Sequence, residues 1–223
     1  MKEFINNFSR QKAVGFLNIS SLSLGIMVSI VVGLWAMNEL SFDNFHKNKE
    51  RIYRNVIHTM QNGKTTKLGS FSGSTAKDVS AECPAVEDIC RVVPTGADIQ
   101  VNSTLNMRQP AFIVDANFFS FFSFGLKQGD LENVLNAPNK AVISETAALR
   151  FFSGQDPVGQ TFRFEIQEFE VSCVMKDMPS NSSLQADIVF TFPPSGAFLE
   201  NPNRFDTDAY ITFFLMHEKS DIS

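Results

Sequence analysis

The sequence predicts an α+β protein: a single N-terminal transmembrane helix followed by a mixed α/β domain, arranged in two lobes, that lies outside the cytoplasm. Three observations carry this reading. Ala13 to Asn38 is apolar and free of charge, short strand-like and helix-like stretches alternate through the rest of the chain, and about 180 residues remain after the span to build a core. The 23 phenylalanines supply much of that core.

The span comes first. Ala13 to Asn38 runs between Lys12 and Glu39, and at about 1.5 Å per residue it reaches about 39 Å, enough for a hydrocarbon core of about 30 Å. A cleaved leader is disfavoured because the apolar run continues to Trp35 and Met37. Residues 1–12 place Phe4, Ile5 and Phe8 on one helical face, which predicts an amphipathic segment in the cytoplasmic interface before the chain turns into the membrane. Lys2, Arg10 and Lys12 against Glu3 give this segment a balance of +2, so the N-terminus is expected in the cytoplasm. With the whole chain at −5, residues 13–223 carry −7, which argues against a nucleic-acid partner. Inside the span, Asn18, Ser21, Gly25 and Ser29 are small or polar where lipid needs only apolar groups, and they are expected to pack against partner helices.

Residues 39–54 open polar and helix-compatible, then alternate as a strand from Ile52. Residues 63–74 are expected as a loop, and a helix from near Thr75 ends before Cys83-Pro84. Val86–Val93 and Ala97–Leu105 are strand or helix candidates on either side of Pro94-Thr95-Gly96. Residues 111–115 read as a strand, 117–125 as a short aromatic helix, and 139–144 as a buried strand. Ser144 then caps a helix over 145–152 that stops at Gly154. Asp156-Pro157-Val158-Gly159 turns into a hairpin of residues 161–166 and 169–178 around Gln167-Glu168, and strands follow at 186–192 and 208–216.

The search for chemistry yields no catalytic, cofactor-binding or metal site. His46, His58 and His217 lack metal spacing, and no G-x-S-x-G, P-loop or G-x-G-x-x-G is present. S-x-x-K occurs at Ser9–Lys12 and Ser74–Lys77 without its companion motifs. Cys83, Cys90 and Cys173 form no zinc or redox pattern; Cys173 reads as a buried small hydrophobe, with a Cys83–Cys90 disulfide as an alternative in an oxidising compartment.

Residues 16–54 resemble the first transmembrane helix and juxtamembrane segment of MacB/FtsX-type ABC transporter permeases. Residues 114–164 and 174–190 are similar to the MacB-like periplasmic core domain of that family. The pieces that carry the resemblance are Asn117-Phe118-Phe119, Gly129-Asp130, Val142-Ile143-Ser144-Glu145, Asp156-Pro157-Val158-Gly159 and Met178-Pro179-Ser180-Asn181-Ser182, in that order.

The resemblance implies a non-enzymatic permease subunit of the bacterial inner membrane, with no cofactor. It also implies a cytoplasmic ABC ATPase partner, a permease homodimer or related permease, surrounding membrane lipid and a periplasmic lipoprotein or export partner. The expected organisation is a cytoplasmic interfacial segment (1–12), a transmembrane helix (13–38), a juxtamembrane stalk (39–54, with Glu39, Asp43, His46, Arg51 and Arg54) and a periplasmic core domain (55–223). Such permeases have three further membrane helices, so the chain is expected to be a form truncated before them. A stand-alone tethered binding or adaptor module is the alternative, and a tethered hydrolase would need a polar cluster in a pocket.

Overall fold

The computed structural model describes residues 2–61, 64–68, 79, 81–101, 104–105, 108–131, 134–164, 167–191 and 210–218. It divides into two compact units, Met1–Phe42 and Asp43–Ser223.

The first unit is a helix, α1 (Lys2–Leu40). Val14–Leu40 is long and apolar enough to cross a membrane. Its apolar side chains are exposed, Phe16 at 72% and Trp35 at 65%, a surface that needs lipid or protein around it. The turn expected near residue 12 is absent. Arg10-Gln11-Lys12-Ala13-Val14 holds no glycine or proline, and helix formers keep the backbone continuous.

The second unit is built on one mixed sheet. Its strands are β1 (Ile52–Arg54), β4 (Val86–Ala97), β5 (Ile99–Val101), β6 (Thr104–Leu105), β7 (Gln109–Val114), β8 (Leu126–Gln128), β9 (Lys140–Ser144), β10 (Thr161–Phe164), β11 (Gln167–Met175), β12 (Ile188–Thr191) and β13 (Ile211–Met216). Across the sheet the order is β1-β13-β4-β7-β12-β9-β11-β10-β5-β6, with β8 also on β11. The pairs β7–β12 and β9–β11 are parallel and the others antiparallel. A separate hairpin joins β2 (Ile57–Gln61) to β3 (Lys64–Leu68), where the sequence had predicted a loop. The Lys-Thr-Thr-Lys-Leu stretch pairs residue for residue with Ile57–Gln61, and that pairing partner is invisible to a local reading.

The two lobes expected from the sequence are not found: Asp43–Ser223 is one compact unit, with two hydrophobic layers on opposite faces of a shared sheet. Alternate residues of each central strand point to opposite faces, so Val142 enters one layer and Ala141 and Ile143 the other. The first layer holds the short helix α2 (Phe118–Phe121) with Phe122 and Phe124. The second holds α3 (Glu145–Phe152) through Ala147, Ala148, Phe151 and Phe152. Strands β9 and β12 are buried on both faces, which explains their unbroken apolar sequences. A bulge between Val171 and Cys173 flips the alternation of β11.

Helix α3 follows its signals: the Ser144 hydroxyl accepts from the Ala147 N–H at 3.1 Å, and Ser153 (φ +51°) and Gly154 (φ +82°) close its end. The aromatic helix is shorter than expected, because Phe122 is already extended. The two candidate segments flanking Pro94 include one 12-residue strand, β4, that runs straight through the proline. The β13 register stops at Val92, two residues short of Pro94, so the missing proline N–H costs no bond in that register. Phe164 pairs with Gln167, so the β10–β11 hairpin closes before Gln167-Glu168 rather than around it. The predicted helix from Thr75 rests mainly on residues outside the described ones, as do Ser74 and Lys77.

Candidate functional site: the junction at Asp43 and His46

The second unit begins at Asp43, whose backbone takes the left-handed region (φ +55°), a conformation aspartate tolerates better than bulkier residues. Its N–H donates to the Asn181 carbonyl at 3.0 Å. Its carboxylate accepts from the Ser182 hydroxyl (3.1 Å), the Ser183 N–H (3.0 Å) and the Ser183 hydroxyl (2.5 Å). The receiving loop is fixed in turn: the Ser182 N–H donates to Pro179, and the Ala186 N–H contacts the Met178 sulfur. Four bonds to one aspartate, mostly charge-assisted, make this a strong local fastening.

Three residues later His46 enters the first hydrophobic layer, only 6% exposed. Its ring lies 4.0 Å from that of Phe45, 5.1 Å from Phe124 and 5.3 Å from Phe122. Nδ1 accepts the Ser123 N–H at 3.1 Å, so in the neutral ring Nε2 carries the proton, 3.9 Å from Asp43 Oδ1. Burial lowers the His46 pKa from its ordinary value, and Asp43 opposes the shift. The Lys47 N–H donates to the Ser123 hydroxyl at 2.9 Å, completing a two-point clasp on the aromatic loop. An open groove beside it is lined by Lys47, Phe119, Ser123, Phe124, Asp130 and Leu131.

A third fastening follows at Arg51. Its Nε donates to the Met216 carbonyl at 2.8 Å, and its guanidinium pairs with Glu87. The chain then enters β1, where Ile52 and Arg54 pair with Leu215 and Phe213 of β13. Residues 43–54 are therefore woven into the domain at three places.

Of the residues singled out in the sequence, the structure brings Asp43 and His46 together and places Arg51 and Arg54 on the β13 edge. Glu39 lies exposed in the last turn of α1. Asn18, Ser21, Gly25 and Ser29 are exposed at spacings of three and four, which put them on one side of α1. A Cβ at Gly25 would meet nothing within 4 Å, and the Ser29 hydroxyl donates to the Gly25 carbonyl within its own helix. Sequence reasoning missed Ser123 and Ser183 as partners. Nothing local marks them, because their bonds to Lys47, His46 and Asp43 span 76 to 140 residues.

A second polar cluster ties β4 to the chain leaving β7. Arg91 clamps Asp115 with Nη2 at 2.6 Å and Nε at 2.9 Å, and Asn117 Nδ2 reaches Asp88 and the Ile89 carbonyl. The Asp115 hydrogen bond raises the Arg91 pKa despite burial. This is a structural brace for α2.

His46 and His217 each lie near a carboxylate. His46 spends Nδ1, its unprotonated nitrogen, as acceptor for a main-chain N–H, and Nε2 faces Asp43 at 3.9 Å. His217 lies on the surface, 3.6 Å from Glu87. Among the described residues no group of three His, Cys, Asp or Glu side chains is placed to hold a metal ion. All three cysteines are free thiols, and burial raises the pKa values of Cys90 and Cys173.

The sequence profile of the MacB-like periplasmic core domain matches residues 16–216. The chain belongs to this family. Among solved structures, it is similar to a domain of a protein assigned as a permease from Porphyromonas gingivalis, with a TM-score of 0.68 at 22% identity, over 79% of this chain and 77% of that one. It is also similar to the extracellular domain of the noncanonical ABC-type transporter YknZ from Gram-positive bacteria, with a TM-score of 0.53 at 12% identity, over 75% and 84% of the two chains. The periplasmic region of MacB from Actinobacillus actinomycetemcomitans gives a TM-score of 0.49 at 16% identity, over 66% of each chain. The first two likenesses show a shared fold. No curated protein sequence gives a significant match.

In this MacB-like domain each piece of the resemblance has a physical task. Asn117 braces β4, and Val142–Glu145 joins β9 to the α3 cap. Gly129 (φ +99°) crosses β11 so closely that a Cβ would sit 2.4 Å from the Cys173 sulfur. Asp156-Pro157-Val158-Gly159 turns with its Asp156 carboxylate accepting the Val158 N–H, and Met178–Ser182 receives Asp43. The family is one of transporter permease domains rather than of classical enzymes.

Proposed function

We propose that the chain is a permease subunit of a MacB/FtsX-type ABC transporter, coupling ATP hydrolysis by a cytoplasmic partner ATPase to export or mechanical work outside the cytoplasm. Membership of the MacB-like family supports it, and one observation carries it: the residue after Phe42 is already locked into the domain. Asp43, His46 and Arg51 fasten the start of the domain to the Met178–Ser183 loop, the aromatic loop and β13, so displacement reaching this segment would be passed to three places.

In this reading residues 1–12 lie in the cytoplasm near the ATPase, and α1 crosses the inner membrane in contact with lipid. Asn18, Ser21, Gly25 and Ser29 face the helices of a homodimer partner or a related permease. The stalk residues Glu39, Asp43, His46, Arg51 and Arg54 pass motion outward to a lipoprotein or other export partner.

Two experiments test it. Affinity purification of the chain from its native membrane should recover an ABC ATPase, and recovery should fall when residues 1–12 are replaced; a native membrane preparation with no ATPase bound would overturn the reading. Topology is tested on Cys83, the one cysteine that is not buried. A membrane-impermeant maleimide should label it from outside the inner membrane, and labelling only after the cytoplasm is opened would reverse the proposed orientation.

A further inference from the structure

We propose that His46 and Ser123 form an acid-sensitive latch, a main-chain hydrogen bond between the entry segment and the aromatic loop that is made when the imidazole is neutral and lost when it is protonated. Ser123 offers a main-chain N–H to Nδ1 at 3.1 Å, and an N–H cannot donate to a nitrogen that already bears a proton. Protonation therefore replaces a hydrogen bond with two opposed N–H dipoles inside a nearly closed aromatic box.

The charges around the ring set where it can go. The aromatic loop packed on it, Phe118–Gly125, contains no charged residue. Asp43, on its own segment, is the charged group acting on it, with Nε2 to Oδ1 at 3.9 Å, beyond hydrogen-bond reach. Lys47 is held through its main chain, with its side chain at the groove that also contains Asp130. A protonated ring is thus repelled at Ser123 and drawn to Asp43, which stays fastened to Ser182 and Ser183. Acid removes the His46 point of the clasp, while the Lys47 bond to the Ser123 hydroxyl and the Asp43 fastening stay in place. This latch is a property of the junction and needs no ATPase, so its test and the coupling test fail separately.

The test is amide hydrogen exchange on the full chain in detergent, corrected for the intrinsic pH dependence of exchange. Protection of the peptide carrying Ser123 is expected to fall roughly fivefold between pH 7.5 and pH 5, the loss of about one hydrogen bond, while β12 keeps its protection. His46→Gln, which retains an acceptor but does not titrate, should abolish the pH response. Equal protection of wild-type Ser123 at both pH values, or the same fall in His46→Gln, overturns the proposal. Should His46→Gln not fold, imidazole 15N shifts of the wild-type chain decide it: Nδ1 must stay an unprotonated acceptor at pH 7.5 and gain a proton by pH 5. A ring that remains neutral at pH 5 overturns the latch equally.

Discussion

The two hydrophobic layers of the sheet differ in what they are attached to. The first, around Phe118, Phe122 and Phe124, is packed by Phe45 and Ile52 and clasped by His46 and Lys47. The second, around α3, Phe162, Phe169 and Phe190, is packed by Val158 and Phe164, and none of its hydrophobic side chains comes from residues 43–54. A single sheet thus has a face that receives the entering chain and a face that only stabilises, and substitutions of equal chemistry should have unequal consequences for the junction.

The largest expected effect tests that asymmetry directly. Phe118→Ala and Phe190→Ala each empty a site that is 1% exposed or less, and each should cost about 3–5 kcal/mol in chemical denaturation of the detergent-solubilised chain. Only Phe118→Ala should speed amide exchange at residues 43–47 under native conditions, because its ring touches Phe122 and Phe124, which touch His46. Equal exchange in both variants would remove the distinction between the faces.

Next comes a pair of carboxylates. Asp43→Ala removes the acceptor for three hydrogen bonds and strands the buried Ser182 hydroxyl, for a loss of about 2 kcal/mol. Asp177→Ala, on the α3 side, removes an exposed acceptor for the Thr146 N–H and hydroxyl and should cost about 1 kcal/mol, measured the same way. Ser144→Ala, which deletes the α3 cap, belongs with the latter at about 1 kcal/mol and should leave exchange at residues 43–47 unchanged.

The smallest effect is in pH. Burial keeps the folded His46 pKa below its ordinary value near 6.5, so the unfolded chain binds the proton more readily and stability falls as pH drops below about 6.5. Thr146 holds the Asp177 carboxyl below its usual range through hydrogen bonds to its hydroxyl and its N–H, so that contribution persists until pH falls through about 4. Denaturation midpoints followed from pH 7.5 to 3.5 should show the His46 component first, and His46→Gln should remove it alone.

Local chemistry left clear marks on parts of this fold. Ser144, Glu145 and Gly154 bound α3, and the apolar runs at 139–144 and 186–192 locate the doubly buried strands, because caps and periodicity act over four residues or fewer. The strand through Pro94 was hidden, since its tolerance depends on where β13 stops; the β2–β3 hairpin was hidden because Lys64–Leu68 has no apolar alternation of its own. At the junction, Asp43 and His46 were visible as polar residues beside an apolar span, but Ser123, Ser182 and Ser183 looked like any loop serines.

The sequence by itself determined an uncharged apolar helix and an α+β domain, because hydrophobic content, charge and short-range caps are written residue by residue, and the order of its motifs carried the resemblance to the MacB-like family. Only the tertiary structure decided that the entry segment is part of the sheet and which face it grips. Those facts rest on hydrogen bonds between residues 76 to 165 positions apart, whose geometry exists only once β13, the aromatic loop and the Met178–Ser183 loop have been brought together.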